Sequence, residues 1–315
     1  MAPPSSSLRV PPPGTPGAPG PQRASAPPAE PLVRIGARPG LAFGHTAFPR
    51  HRAPYARQVV VFTSGKGGVG KSTVAVNVAS ALARRGLRVG ILDADVHGPS
   101  VPRMLQLGGE RVRWNDAGQM VPAENFGLKV MSVGLTTPEA DTPLAWRSAV
   151  AVGAVVQLLE DVAWGPLDVL CLDLPPGTGD VQLTVAQELR IGAAVVVTTP
   201  QAVATDDVRR ALRMLLESGV PVAGVVENMS WFATPDGARH HPFGEGGGRA
   251  LAEAYGVPLL GEIPLDPRIR EACDEGRPAA AVGGTDLEAT FAELAGRLWA
   301  TLEARSARRP PDRTA

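Results

Sequence analysis

The chain has 315 residues but only three lysines, Lys66, Lys71 and Lys129, and it takes the rest of its positive charge from arginine. Two of the three lie in one ten-residue segment, SGKGGVGKST, at positions 64–73. An ammonium is a compact charge on a flexible stem, whereas a guanidinium is a flat, forked donor that suits carboxylates. The scarcity of lysine elsewhere therefore indicates that this segment requires ammonium groups, as a polyphosphate site does.

Cysteine and long apolar runs are scarce as well. The two cysteines, Cys171 and Cys273, are far apart in the sequence, which excludes a disulfide framework and is typical of a reducing compartment. No apolar run approaches the ~20 residues that a membrane span needs. We therefore expect a soluble, cytoplasmic protein without a membrane partner.

Acidic residues are almost absent from the first 57 positions, which hold seven arginines, Glu30 and 14 of the 32 prolines. This segment has a formal charge of +6, and the remainder has a charge of −6. Its composition predicts a disordered extension over 1–57, followed by a folded domain over 58–305 and a disordered tail over 306–315. An organelle transit peptide is the alternative, although so many prolines oppose the helix that such peptides form.

The segment at 64–73 matches the P-loop pattern, with Gly65, four intervening residues and then Gly70, Lys71 and Ser72. An apolar run precedes it and apolar residues at helical spacing follow it, so the helix N-terminus points at a bound phosphate. We expect ATP here, with Lys71 on the β- and γ-phosphates and Ser72 on Mg²⁺. The other predicted contacts are Lys66, Gly67, Gly68, Val69 and Thr73. A glycine-rich turn without a ligand is the structural alternative.

The rest of the chain alternates between short apolar runs and helical patterns. Strands are predicted at 88–92, 128–133, 168–172, 193–198, 221–226 and 259–263, and helices at 149–162 and 205–218. The second helix is predicted to begin at Thr205, with Asp206 and Asp207 in its first turn. This alternation predicts an α/β fold, a mainly parallel sheet with helices on both faces. Ligands of such sheets bind at the carboxyl ends of the strands.

Acidic residues follow two of these strands. Asp93 and Asp95 come after the run at 88–92, and Asp173 comes after the run at 168–172. Carboxylates at this edge can hold Mg²⁺ through water and orient the water that attacks a γ-phosphate. Turn or cap formation is the alternative role for each. Asp93 in particular either supports the ligands of the metal without contacting it or has only a structural role.

Lys66, directly after the first glycine, resembles the deviant P-loop of the MinD, ParA and nitrogenase iron protein class. In that class the lysine reaches the phosphates bound by the neighbouring subunit, so the resemblance implies a homodimer. A solvated surface lysine is the alternative. Further segments are similar to the Mrp/ApbC iron-sulfur cluster carrier ATPases over residues 58–278. They read DADVHGPSVPRML, DLPPGTGDVQLTVAQ, VVVTTPQAVATDD, VVENMSWF, FGEGGG and LLGEIPLDPRIREACDEGRP.

The resemblance implies a nitrogenase iron protein-like P-loop fold and slow, Mg²⁺-dependent ATP hydrolysis. It also implies that a [4Fe-4S] cluster is held and passed to apo iron-sulfur proteins or assembly factors. On the matching positions, it makes Asp173 the acid that holds Mg²⁺ via water, with Gly177 as a switch glycine, and Asp95 the residue that orients water. It also implies that Asn228 contacts the adenine, for which a buried structural amide is the alternative.

One departure concerns the cluster itself. The family places a Cys-x-x-Cys pair after the ENMS segment, but this chain has Thr234 at the first position and lacks the second beside Gly237. Threonine and aspartate do not replace thiolates on an iron-sulfur centre. Ligation by His240 and His241 is the alternative, and a solvated loop is the expectation.

Two other functions are alternatives to an ATPase of iron-sulfur protein maturation. A MinD- or ParA-like positioning switch needs a membrane or DNA surface. The stripe of the last predicted helix, 286–305, could face a membrane, but glutamates mix with arginines on its polar side, so packing on the core is predicted. The folded part is acidic, so no specific nucleic-acid partner is expected. A small-molecule kinase is disfavoured by Lys66 and the DLPPG segment.

Overall fold

The computed structural model describes residues 53–96, 98–136 and 148–308. The strands within these residues are β1 Ala56–Ser64, β2 Val89–Asp93, β3 Arg113–Trp114, β4 Met120–Val121, β5 Ala123–Asn125, β6 Leu128–Ser132, β7 Leu167–Asp173, β8 Ala193–Thr198, β9 Val222–Glu227, β10 Phe232–Ala233, β11 Arg239–His240 and β12 Leu259–Glu262. The helices are α1 Lys71–Arg84, α2 Val101–Met104, α3 Ser148–Glu160, α4 Asp180–Glu188, α5 Ala202–Glu217, α6 Gly247–Tyr255, α7 Pro267–Asp274 and α8 Asp286–Ala307. A 3₁₀ turn spans Val133–Leu135.

Eight strands form one sheet in the order β12-β9-β8-β1-β7-β2-β6-β5. Every neighbouring pair is parallel except β5 with β6, which is antiparallel. Alternate residues of β1 enter different cores: Val60 and Phe62 lie in the cluster with α1 and α8, whereas Val61 lies in the cluster with α3, α4 and α5. The predicted mainly parallel sheet with helices on both faces is therefore confirmed.

The predicted strands occur within one or two residues of their expected bounds, because runs buried on both faces are apolar throughout. The predicted start of α5 is wrong. The helix begins at Ala202 with Gln201 as its N-cap, so Thr205 lies inside the first turn and its Oγ1 donates to the Ala202 carbonyl. Residues 202–204 all tolerate helical backbone, and Pro200 lies just before them, so the helix starts one turn earlier.

The apolar stripe of α8 is buried in the core beside α1, which confirms the predicted packing and leaves it unavailable to a membrane. Its members are Leu287, Phe291, Leu294, Leu298 and Leu302. Thr285 caps the helix by accepting the Glu288 amide at 3.0 Å. Among the described helices, none is long and apolar enough to cross a bilayer.

Candidate nucleotide-binding site

The P-loop connects the C-terminal end of β1 to the N-terminus of α1 and takes its shape from glycines. Gly68 and Gly70 have φ angles of 83° and 82°, a left-handed backbone that side chains with a Cβ rarely adopt. Gly70 is also the N-cap of α1, so the free amides of the first helical turn face the loop. The predicted order of strand, loop and helix is present, with an anion-binding helix end at the loop.

Two neighbouring segments approach the loop too closely for any side chain. A Cβ on Gly65 would lie 2.3 Å from the backbone of Asp207 and Val208 in α5. A Cβ on Gly70 would lie 2.2 Å from Nδ2 of Asn228. The loop is therefore held between α5 and the residues that follow β9.

Lys71 and Asp173 form a buried ion pair beneath the loop. The Nζ of Lys71 lies 2.5 Å from Oδ1 of Asp173 and 3.2 Å from Oγ of Ser72. The two side chains of the pair are 6% and 0% exposed. Burial raises the pKa of Asp173, while the ammonium of Lys71 opposes that rise. The other oxygen, Oδ2 of Asp173, is buried without a hydrogen-bond partner among the described residues.

This orphaned oxygen is the observation that fits a hydrated magnesium ion. Hydroxyl, carboxylate and water oxygens are the ligands that Mg²⁺ prefers, and a buried acceptor without a donor is otherwise costly. The Oγ of Ser72 and Oδ2 of Asp173 therefore suit the predicted metal position, which stays a prediction.

Asp93, the last residue of β2, is paired in register with Asp173, the last residue of the neighbouring strand β7. Its side chain is completely buried. Its Oδ1 accepts the Asp95 amide at 3.1 Å. Its Oδ2 accepts the Val101 amide at 3.1 Å and the Ser132 hydroxyl at 3.2 Å. Burial, followed by the charge of Asp173, raises the pKa of Asp93 to about 7. The carboxyl thus anchors the backbone at Asp95 and at Val101, the first residue of α2.

The cleft above the P-loop has a volume of about 230 Å³. Its lining brings together the predicted loop residues from Lys66 to Thr73, but not Gly65, with Ser64, Asp95, Ser100, Met104 and Pro176. Lys66 is half-buried in this lining. Gly177, with a φ angle of 93°, donates its amide to the Ser64 carbonyl at 2.8 Å. This hydrogen bond attaches the segment after β7 to the start of the P-loop, and the switch role of Gly177 stays a prediction.

Asn228 is buried at the end of β9, and its Nδ2 donates to the Val69 carbonyl at 2.8 Å. The predicted contact with adenine stays a prediction, while the observed role of the amide is to support the P-loop. Sequence reasoning missed this contact, because 159 positions separate the two residues and only the fold brings them together.

The hairpin β10–β11 occupies the place where the family's cysteine pair is expected. The Thr234 hydroxyl lies 2.5 Å from Oδ1 of Asp236 and 3.1 Å from the Ala238 carbonyl. The Ala238 amide also donates to Asp236. This turn closes on its own hydrogen bonds and offers no thiolate.

Neither cysteine can replace the missing pair. Cys171 lies in β7, where burial raises its pKa to about 12. Cys273 is buried in α7 and its Sγ accepts Nδ2 of Asn77 at 3.7 Å, while burial raises its pKa too. The Nδ1 of His241 hydrogen-bonds to the Ser230 carbonyl at 3.0 Å. In the part of the chain that is described, no three His, Cys, Asp or Glu side chains converge on a possible metal position. A resident [4Fe-4S] cluster does not fit these residues.

Comparison with protein families matches residues 55–299 to the family described as ParA: NUBPL iron-transfer P-loop NTPase. The chain belongs to this family. Its P-loop and mainly parallel sheet agree with a P-loop NTPase family, and the predicted Mrp/ApbC resemblance is confirmed.

Relatives that the chain resembles include the iron-sulfur cluster carrier protein of Deinococcus radiodurans. It is 50% identical over 251 residues, which cover 78% of this chain and 71% of the relative. The carrier protein of Aquifex aeolicus is 48% identical over 232 residues, covering 73% of this chain but 64% of the relative, slightly less than two thirds. A nucleotide-binding protein of Archaeoglobus fulgidus, solved with ADP, is 37% identical with a TM-score of 0.65 and covers 75% of this chain and 93% of its own.

Proposed function

We propose that this protein binds Mg²⁺-ATP, hydrolyses it slowly and uses the cycle in iron-sulfur protein maturation. The buried pair of Lys71 and Asp173 under a glycine-shaped loop carries the proposal. It joins an ammonium at the start of α1 to a carboxylate at the end of β7, the two groups that would bind the phosphates and the metal. The ADP complex of the Archaeoglobus relative supports an adenine nucleotide as the ligand.

The residues divide the work as follows. The loop amides and the α1 N-terminus bind the phosphates, and Lys71 exchanges Asp173 for the β- and γ-phosphates. When bound, Mg²⁺ would be held by the Ser72 hydroxyl and, through water, by Asp173, and it would neutralise charge on the phosphates. Asp95, which lines the cleft, orients the attacking water. Because the attacked phosphoryl group spreads negative charge over its oxygens, positive groups in fixed positions supply most of the catalysis.

Lys66 completes the site from a second copy of the chain. It lines the cleft and is partly exposed, whereas Lys71 is buried. In the homodimer that we propose, each Lys66 reaches the nucleotide of the partner subunit. Hydrolysis then depends on the association of two chains, and the dimer persists until its ATP is hydrolysed.

The cargo is iron and sulfide, as the family description and the names of the carrier relatives indicate. Because the hairpin turn has no thiolate, we propose that the cluster's cysteine ligands come from an apoprotein or assembly factor and that this chain drives the exchange. A cytoplasmic location is part of the proposal, since both cysteines are unpaired thiols.

Two experiments test the proposal. Titration calorimetry with Mg²⁺ and a non-hydrolysable ATP analogue should show binding, and no heat of binding would refute it. Anaerobic incubation with iron and sulfide should leave the purified chain without a stoichiometric cluster. A chain that retains iron and sulfide with a charge-transfer absorption band would show that its own residues ligate the cluster.

A further inference from the structure

A four-residue segment, Asn228–Met229–Ser230–Trp231, lies between the P-loop and the hairpin β10–β11. Its first residue contacts the loop, because Nδ2 of the Asn228 side chain donates to the Val69 carbonyl at 2.8 Å. Its third residue contacts the hairpin end, where Nδ1 of His241 lies 3.0 Å from the Ser230 carbonyl. The ring of Trp231 lies 4.5 Å beneath the guanidinium of Arg239 in β11.

This connecting segment has little freedom to absorb movement. Met229 has a φ angle of 58°, a conformation that a residue with a side chain keeps only when its surroundings impose it. The backbone N–H of Asn228 donates to the Thr198 carbonyl, and that of Ser230 donates to the Ile263 carbonyl. The Trp231 carbonyl accepts the backbone N–H of Leu265. Asn228 and Ser230 are 7% and 2% exposed.

The P-loop end leaves no gap either. A single added carbon on Gly70 would lie 2.2 Å from the Asn228 amide and 3.8 Å from the Met229 side chain. A shift of Val69 or Gly70 when phosphates bind must therefore move Asn228 or break its hydrogen bond. Close-packed elements transmit such displacements because no void takes them up.

We infer that the connecting segment couples the nucleotide state of the P-loop to the hairpin, with Asn228 and His241 as its two positioning residues. The hairpin side chains next to the segment are exposed, Phe232 and His240 among them. A partner that contacts the hairpin would therefore bind with an affinity that depends on the nucleotide. The inference rests on the nucleotide binding of the proposed function and adds the route by which binding is reported.

Hydrogen exchange of the full-length protein, measured with and without saturating Mg²⁺-ADP, tests the coupling. Amides of residues 232–241 should exchange about five-fold or more slowly with nucleotide, the lower end of coupling between sites. In His241→Ala this nucleotide effect should be lost, while the ADP dissociation constant stays within about two-fold of wild type, because His241 does not line the cleft above the P-loop. His240→Ala is the matched control and should keep the full effect.

The outcomes separate the inference from the proposed function. If calorimetry detects no ADP binding to the wild type, nucleotide binding itself is refuted. If ADP binds but the hairpin amides exchange at the same rate with and without it, the coupling is refuted. Equal nucleotide effects in wild type and His241→Ala would also overturn it. Recovery of the effect in His241→Asn, which restores a side-chain donor, would support the hydrogen bond as the link.

Discussion

The ammonium of Lys71 lies 2.5 Å from the carboxylate of Asp173, and both groups are buried. In this arrangement the P-loop lysine is neutralised by the acid that is predicted to help hold magnesium. In the proposed Mg²⁺-nucleotide complex, the phosphates would become the partner of the Lys71 ammonium and the hydrated Mg²⁺ would become the partner of the Asp173 carboxylate. Metal and nucleotide should therefore bind cooperatively.

Removing the ammonium should have two effects. Lys71→Ala should abolish nucleotide binding and lower the free energy of unfolding by about 3 kcal/mol, because it leaves a buried carboxylate without its partner. Calorimetry and urea unfolding measure the two effects. Lys129→Ala is the control: its Nζ donates to the Trp164 carbonyl, so it should cost about 1 kcal/mol and leave binding intact.

Lys66→Ala should separate binding from hydrolysis. The nucleotide dissociation constant should remain close to wild type, whereas the hydrolysis rate should fall by about 10²-fold, as when one transition-state charge partner is removed. Phosphate release at saturating ATP measures the rate. An equal loss of binding and hydrolysis would contradict a lysine that acts on the nucleotide of the partner subunit.

Two glycines of the same loop provide a matched steric test. Gly65→Ala should destabilise the fold by more than about 2 kcal/mol, because the new carbon meets the α5 backbone at 2.3 Å. Gly67→Ala meets only the Pro176 ring, at 3.9 Å, and should change the free energy of unfolding by less than about 1 kcal/mol. Thermal unfolding without nucleotide compares them, and similar losses in both variants would contradict the close approach of α5.

The buried carboxyl of Asp93 predicts a pH dependence. Because its pKa rises from 3.8 in the unfolded chain to about 7 in the fold, the folded state binds more protons between these values. Its contribution to stability is therefore present below about pH 4 and is lost as the pH rises to about 7.

The difference in unfolding free energy between wild type and Asp93→Asn, measured without nucleotide, isolates this contribution. The wild type should lose stability relative to Asp93→Asn as the pH increases through this range, since the asparagine does not ionise. A difference that is independent of pH would mean that Asp93 ionises at its ordinary pKa.

The sequence predicts the elements of this fold well because its strands are buried on both faces and are therefore apolar along their length. It predicts the P-loop because glycine spacing is a local requirement. Contacts such as Asn228 with Val69, or Asp93 with Ser132, leave no such local signal, since the fold creates them between distant positions. The start of α5 was missed because residues 202–204 are acceptable in both helix and loop.

Both native thiols are buried: Cys171 is completely buried, and Cys273 is 5% exposed. Alkylating reagents should therefore leave the folded protein unmodified. The substitution Thr234→Cys, on the exposed turn, would then provide the one accessible thiol among the described residues. A dye or spin label attached there can follow the turn through the proposed ATP cycle without removal of either native cysteine.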